Sequence, residues 1–200
     1  MVQSETVELR SGMPEEFRRE VAEIVYEAFR QKLALLIGAP EKGTAILEKA
    51  LDPALAIVAV YRGRPVGVAG LQYDGRNFVT PRRSEFVRQF GSVSGTLRFV
   101  MFKLFALAYG QTDMYIDILA VAPAMRGKGV GSLLLDAVFQ TAREKGFKSV
   151  SLEVVDTNPD ARRLYERVGF VARRTYPYPY LRGIAGFSAS IKMVKMLSSD

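Results

Sequence analysis

The sequence predicts an α/β (α+β) domain in which helices pack on a mixed β-sheet. Three observations lead there. Short apolar or alternating runs bounded by turn residues recur along the chain. Longer segments with apolar residues three and four apart lie between them. After residue 114 the order becomes strand, helix, strand, helix, strand, a rhythm that layers helices on a sheet. With 200 residues, 48% hydrophobic and 24% charged, the chain fits one globular domain over 1–200.

Residues 6–10 alternate (Thr-Val-Glu-Leu-Arg) and predict a short strand. Pro14, Glu15 and Glu16 open a helix, because proline in a first turn forfeits no needed donor. Its buried stripe is Phe17, Val21, Ile24, Ala28 and Leu35, and Gly38-Ala39-Pro40 ends it. A second short helix is predicted near 43–51. Residues 55–61 and 65–72, joined by Arg-Gly-Arg-Pro, predict a hairpin. Strands follow at 114–121, 148–155, 169–176 and 187–197, with helices at 129–145 and 158–168.

Some 40 residues separate the strand ending near 72 from the one starting near 114, too many for a plain loop. Within this insert (72–112), residues 84–90 and 96–109 have helical character. Six Lys/Arg against Asp74 and Glu85 give it a net +4 of the chain's +7.

Composition narrows the chemistry. There is no cysteine, which excludes disulfides, thiolate metal sites and a cysteine nucleophile. There is no histidine, so acid–base work falls to Asp, Glu, Tyr or Lys. The N-terminus lacks the basic and apolar regions of a secretory signal, and no uncharged stretch reaches the ~18–20 residues of a membrane span. A cytoplasmic location is the expectation. The net charge favours an anionic partner but does not distinguish a phosphate-rich cosubstrate, nucleic acid or an acidic surface.

The run Arg126-Gly127-Lys128-Gly129-Val130-Gly131 joins a strand to a helix. Glycines at a helix N-terminus let free amides and a positive dipole approach an anion, and a diphosphate so held needs no metal. The Walker spacing is absent, as is the dinucleotide pattern G-x-G-x-x-G. A turn serving packing alone is the bland alternative.

With Ile116 to Pro123 ahead of it, this run resembles the GNAT superfamily of acyl-CoA-dependent N-acyltransferases, whose signature is a strand, Val-x-Pro, R/Q-x-x-G-x-G/A and a long helix. The resemblance implies a mostly antiparallel twisted sheet, splayed at two central parallel strands. It also implies acetyl-CoA as cosubstrate without a metal. Amides from Arg126 through Gly127, Lys128, Gly129, Val130 and Gly131 to Ser132 would hold the pyrophosphate. The backbone of Leu119, Ala120 and Val121 would pair with pantetheine, an amide near Leu119 facing the thioester carbonyl.

A second element of that family follows at the right distance. Asn158, Ala161, Leu164, Tyr165, Gly169 and Phe170 match N-x-x-A-x-x-L-Y-x-x-x-G-F. Asn158 suits an N-cap ahead of Pro159, and Gly169 a helix stop. The resemblance makes Asn158 a coenzyme A contact and Tyr165 the acid that protonates the departing thiolate. Read alone, Asn158 is a cap and Tyr165 a half-buried aromatic.

Without a cysteine nucleophile, direct attack by an amine in a ternary complex is the simplest route. Glu153, twelve residues before Tyr165 in a Leu-Glu-Val strand, is the first candidate base. That spacing is similar to the ribosomal-protein N-terminal acetyltransferase branch. Asp117 is the second. A partly buried carboxylate can rise toward neutrality. Against these stand a solvent-facing Glu153 and an Asp117 that is a structural acceptor or an ammonium anchor.

The acceptor, a small-molecule or peptide amine, is expected against residues 14–51 and 172–197. Arg173-Arg174-Thr175-Tyr176-Pro177-Tyr178-Pro179-Tyr180 is either a channel lining or an ordinary loop. The insert is open to three readings: a lid, a homodimer contact or a membrane-surface patch. A non-catalytic acyl-CoA sensor is the alternative function. Nucleic acid is not expected, because it would leave both motifs unexplained.

Overall fold

The computed structural model describes residues 6–30, 36–106, 113–178 and 186–197. Its strands are β1 (Glu8–Ser11), β2 (Ala56–Tyr61), β3 (Arg64–Tyr73), β4 (Arg76–Asn77), β5 (Met114–Val121), β6 (Ser149–Val155), β7 (Val171–Pro177) and β8 (Ala189–Met196). The helices are α1 (Arg18–Ala28), α2 (Pro40–Ala50), α3 (Arg83–Phe90), α4 (Ser92–Ala106), α5 (Val130–Glu144) and α6 (Pro159–Arg167). No helix among the described residues is long and apolar enough to cross a membrane.

The strands form one sheet in the order β1-β2-β3-β5-β6-β8-β7, with β4 beside β3. Every pair is antiparallel except β5–β6. The sequence therefore predicts the fold class correctly. Each face of the sheet carries its own core. On one side α5 and α6 lay Leu134, Leu135, Val138, Phe139 and Leu164 against Met114, Ile116, Leu152 and Met193. On the other, Val21, Val25, Ile46 and Leu47 of α1 and α2 cover Val58, Val68, Ile118 and Ala120.

Three predicted helices differ at their ends. The first opens with a 3-10 turn at Glu15–Phe17 and stops at Ala28, while Leu35 lies outside the described residues. The one expected near 43–51 begins at Pro40, which opens its first turn. The insert helix predicted from Thr96 begins at Ser92, and Tyr109 lies outside the described residues. The earlier start comes from tertiary packing. A Cβ on Gly95 would strike the backbone of Phe86 and Val87, so this glycine lets α4 cross α3 closely. Phe86 fills the crossing, edge-on to Phe99 and Phe102. The outer face of α4 leaves Val93, Leu97 and Val100 exposed.

Candidate active site

The two parallel strands stay together for only three residues. Met114, Tyr115 and Ile116 pair with Val150, Ser151 and Leu152, and nothing beyond is paired. Both strands continue, β5 to Val121 and β6 to Val155, so their facing edges part into a wedge. The far edge of β5 remains paired: Leu119 with Ala69, Ala120 with Val68 and Val121 with Gly67. Backbone groups on the wedge side of this strand, other than the Val121 carbonyl that Arg126 takes, are thus left for a ligand or water.

A β-bulge marks the parting. Gly70 lies opposite Ile118 and Leu71 opposite Ile116, which leaves Asp117 as the extra residue. The bulge changes which core the strand feeds. Met114 and Ile116 face α5, whereas Ile118 and Ala120 face α1 and α2.

Asp117 sits beside the start of the insert. The Val79 amide donates to its carboxylate, and burial pushes the group up to about 6 against that bond's opposing pull. Gly70 is the reason the insert comes so close, because a Cβ there would overlap the fully buried Phe78 ring. Glu153 is on β6, one residue past the last paired position. Its neighbours Leu152 and Val154 face α5 and α6, so Glu153 points to the opposite side. It is half-buried and accepts a hydrogen bond from the Ser190 hydroxyl at 2.7 Å.

The mouth of the wedge is the glycine-rich turn. Gly127 (φ 73°) and Gly129 (φ 83°) hold left-handed conformations, and nothing lies within 4 Å of a Cβ added to either. Gly129 caps α5 without a side chain, no acidic residue stands in the first turn, and Leu133 N–H to Gly129 C=O (3.1 Å) opens the helix bonding. The amides of Val130, Gly131 and Ser132 at that end are free of any side-chain cap. Arg126 ties the turn to β5 through Nε and the Val121 carbonyl (3.2 Å), and Lys128 is exposed. Gly131 does a different job: a Cβ would stand 3.1 Å from Leu164 Cδ2, so it sets the approach of α5 to α6.

On α6, Asn158 Oδ1 accepts the Ala161 amide at 3.1 Å, which leaves its side-chain nitrogen as a donor to any other partner. The Tyr165 ring is buried edge-on to Phe170, and burial pushes its phenol up to about 12. Its hydroxyl makes no hydrogen bond among the described residues. No fully buried side-chain polar atom among them lacks a partner, so this oxygen is not completely sealed from solvent.

The structure thus gathers Asp117, Glu153 and the open edge of Leu119, Ala120 and Val121 around one wedge, with Arg126 to Ser132 at its mouth. Sequence reasoning did not single out Val79 or Ser190, which hold the two carboxylates. Their positions depend on pairings between segments distant in the chain. Pro179 and Tyr180 of the tyrosine-rich loop lie outside the described residues.

Comparison with known proteins agrees with this architecture. Streptothricin acetyltransferase of Streptomyces lavendulae is 30% identical over 168 residues, 82% of this chain and 82% of that protein. The [ribosomal protein bS18]-alanine N-acetyltransferase of Haemophilus influenzae is 38% identical over 65 residues, 30% of this chain and 44% of that protein. The crystal structure of Ard1 from Thermoplasma volcanium superposes with a TM-score of 0.62 at 20% identity, over 96% of this chain and 99% of that one, which shows the fold alone. Residues 18–170 match the sequence pattern of the acetyltransferase (GNAT) family, and the chain belongs to that family of acetyltransferases.

Proposed function

We propose that this protein moves an acetyl group from acetyl-CoA to a primary amine by direct attack in a ternary complex. The parting of β5 and β6 after three paired residues carries the proposal, because it opens a strand edge between a phosphate-suited helix end and two carboxylates. In this reading the Arg126–Ser132 turn takes the pyrophosphate and the Leu119–Val121 edge takes pantetheine. Asn158 contributes through its side-chain nitrogen. The relatives' names support an amine acceptor, since those proteins act on streptothricin and on an alanine of a ribosomal protein.

The amine nitrogen attacks the thioester carbonyl, a C–N bond forms, the C–S bond breaks and coenzyme A leaves as the thiol. A carboxylate must first remove the ammonium proton. Asp117, pushed up to about 6, is ionised at neutral pH yet more basic than an ordinary aspartate. Glu153 shares the face and relays through water or takes the proton itself.

Tyr165 has a narrower part than a net acid. A phenol at about 12 gives its proton to a thiolate only at a cost of roughly 5 kcal/mol, taking an ordinary thiol near 8.5. It stabilises the departing sulfur as a hydrogen-bond donor, and the amine supplies the proton that finally reaches it. The experiment is release of coenzyme A from acetyl-CoA against a panel of peptides, polyamines and small amines. Release that tracks amine concentration supports the reading. Acetyl-CoA binding without release would make the chain a sensor.

A further inference from the structure

One row of side chains crosses four strands on the side of the sheet away from α5 and α6. Asp117 and Glu153 stand on the two parted strands, each one residue beyond the Ile116–Leu152 pair. Glu153 lies directly opposite Lys192 of β8, and Lys192 directly opposite Arg174 of β7. Residues paired in this way project to the same face. Facing is confirmed by their neighbours, because Ile191 and Met193 enter the core under α5 and α6 and Lys192 does not. Read across the sheet, the charges run minus, minus, plus, plus.

Among the described residues the two cations are not spent elsewhere. Neither Lys192 nor Arg174 forms an ion pair among the described residues, and Glu153 hydrogen-bonds Ser190. The Arg174 guanidinium stacks on the Tyr176 ring, 5.0 Å from its centroid, which holds it at the sheet surface. Like charges directly opposite on neighbouring strands are destabilising unless something neutralises them. An anion between Lys192 and Arg174 removes that cost. Strands are ~4.8 Å apart, so such an anion lies roughly 5–10 Å from Glu153 along the row.

We propose that the acceptor is a dipolar amine, whose nitrogen meets Asp117 and Glu153 while an anionic group several bonds away meets Lys192 and Arg174. The chemical class is an aminocarboxylate, or a peptide N-terminus with acidic residues close behind it. This rests on the acetyltransferase reading above and adds what that reading leaves open, the charge of the acceptor's far end. The row orients the substrate as well as binding it, because a reversed dipole meets like charge at both ends.

The test uses the intact chain with acetyl-CoA and two matched acceptor series. One pairs ω-amino acids of two to five methylenes with their primary amides. The other pairs the C-terminally amidated peptides Ala-Glu-Glu and Ala-Gln-Gln. The acidic member of each pair is expected to show kcat/KM about tenfold higher, the yield of one charge-assisted contact. In Lys192→Gln/Arg174→Gln that preference falls to about twofold or less, through KM. In Lys192→Glu/Arg174→Glu it inverts toward Ala-Lys-Lys. Equal rates for acid and amide, or a preference that survives in both double variants, would overturn the proposal and leave the acetyltransferase reading standing. Heat stabilisation by acetyl-CoA with no coenzyme A release from any acceptor would remove both.

Discussion

The backbone amide of Val79, at the start of the insert, donates a hydrogen bond to the carboxylate of Asp117, the bulged residue of β5. The insert is therefore part of the wall that buries this group. Burial raises Asp117 from 3.8 to about 6, so the folded state holds its proton more tightly than the unfolded chain. Below pH 3.8 the group is protonated in both states and costs nothing. As pH climbs through 6 the folded protein bears the full desolvation penalty, at most about 3 kcal/mol.

Asp117→Asn is accordingly expected to stabilise the protein above pH 6 and to match it below pH 4. Urea unfolding at pH 4 and pH 8 measures the difference. If Asp117 is the base, the same variant also loses the acidic limb of kcat/KM near pH 6. A gain over wild type that is no larger at pH 8 than at pH 4 contradicts burial of the charged carboxylate.

Gly70 and Phe78 are coupled by overlap. Gly70→Ala forces the fully buried Phe78 ring to move, with an expected cost of about 1–3 kcal/mol. Phe78→Leu in the same chain should return part of that loss, which a double-mutant cycle reads as an interaction energy. Additive costs would show that the ring and the glycine do not meet.

The glycines of the phosphate-suited turn should separate by role. Gly129→Ala places a side chain at φ 83°, which costs roughly 1–2 kcal/mol and crowds the anion's approach. It should weaken acetyl-CoA binding more than tenfold. Gly131→Ala meets only the mobile tip of Leu164 and should lower stability by about 1 kcal/mol or less, with a smaller loss of affinity. Isothermal titration of both variants decides the order.

Tyr165→Phe should leave the melting temperature within about 2 °C, because the hydroxyl lost bonds nothing in the fold. Its kcat should fall while acetyl-CoA affinity holds. Wild-type kcat should show no alkaline decline from this phenol below pH 10, given a group at about 12. Unchanged kcat in the variant would remove Tyr165 from the chemistry.

Much of this was legible before the structure. Val130, Leu134, Val138 and Ala142 announce α5 by their spacing, and Asn158 with Pro159 announces the start of α6. Local patterns carry those elements, and the glycine run stands out within them. The register of distant strands is another matter. Lys192 and Arg174 lie 39 and 21 residues beyond Glu153 in the chain, and no local signal tells which residue of β7 or β8 faces it. Gly95 is a case of the same kind, because the helix crossing that its missing side chain permits is set by tertiary packing and has no local signal.

Acetyl-CoA binding to the free protein tests the central claim most directly. At a concentration one hundred times its dissociation constant, a ligand that binds only the folded state adds about 2.7 kcal/mol. For a chain of 200 residues that raises the melting temperature by roughly 5–10 °C. This shift is the expected result, and Gly129→Ala is expected to abolish most of it. A melting temperature that acetyl-CoA does not move would show that the chain does not bind this cosubstrate.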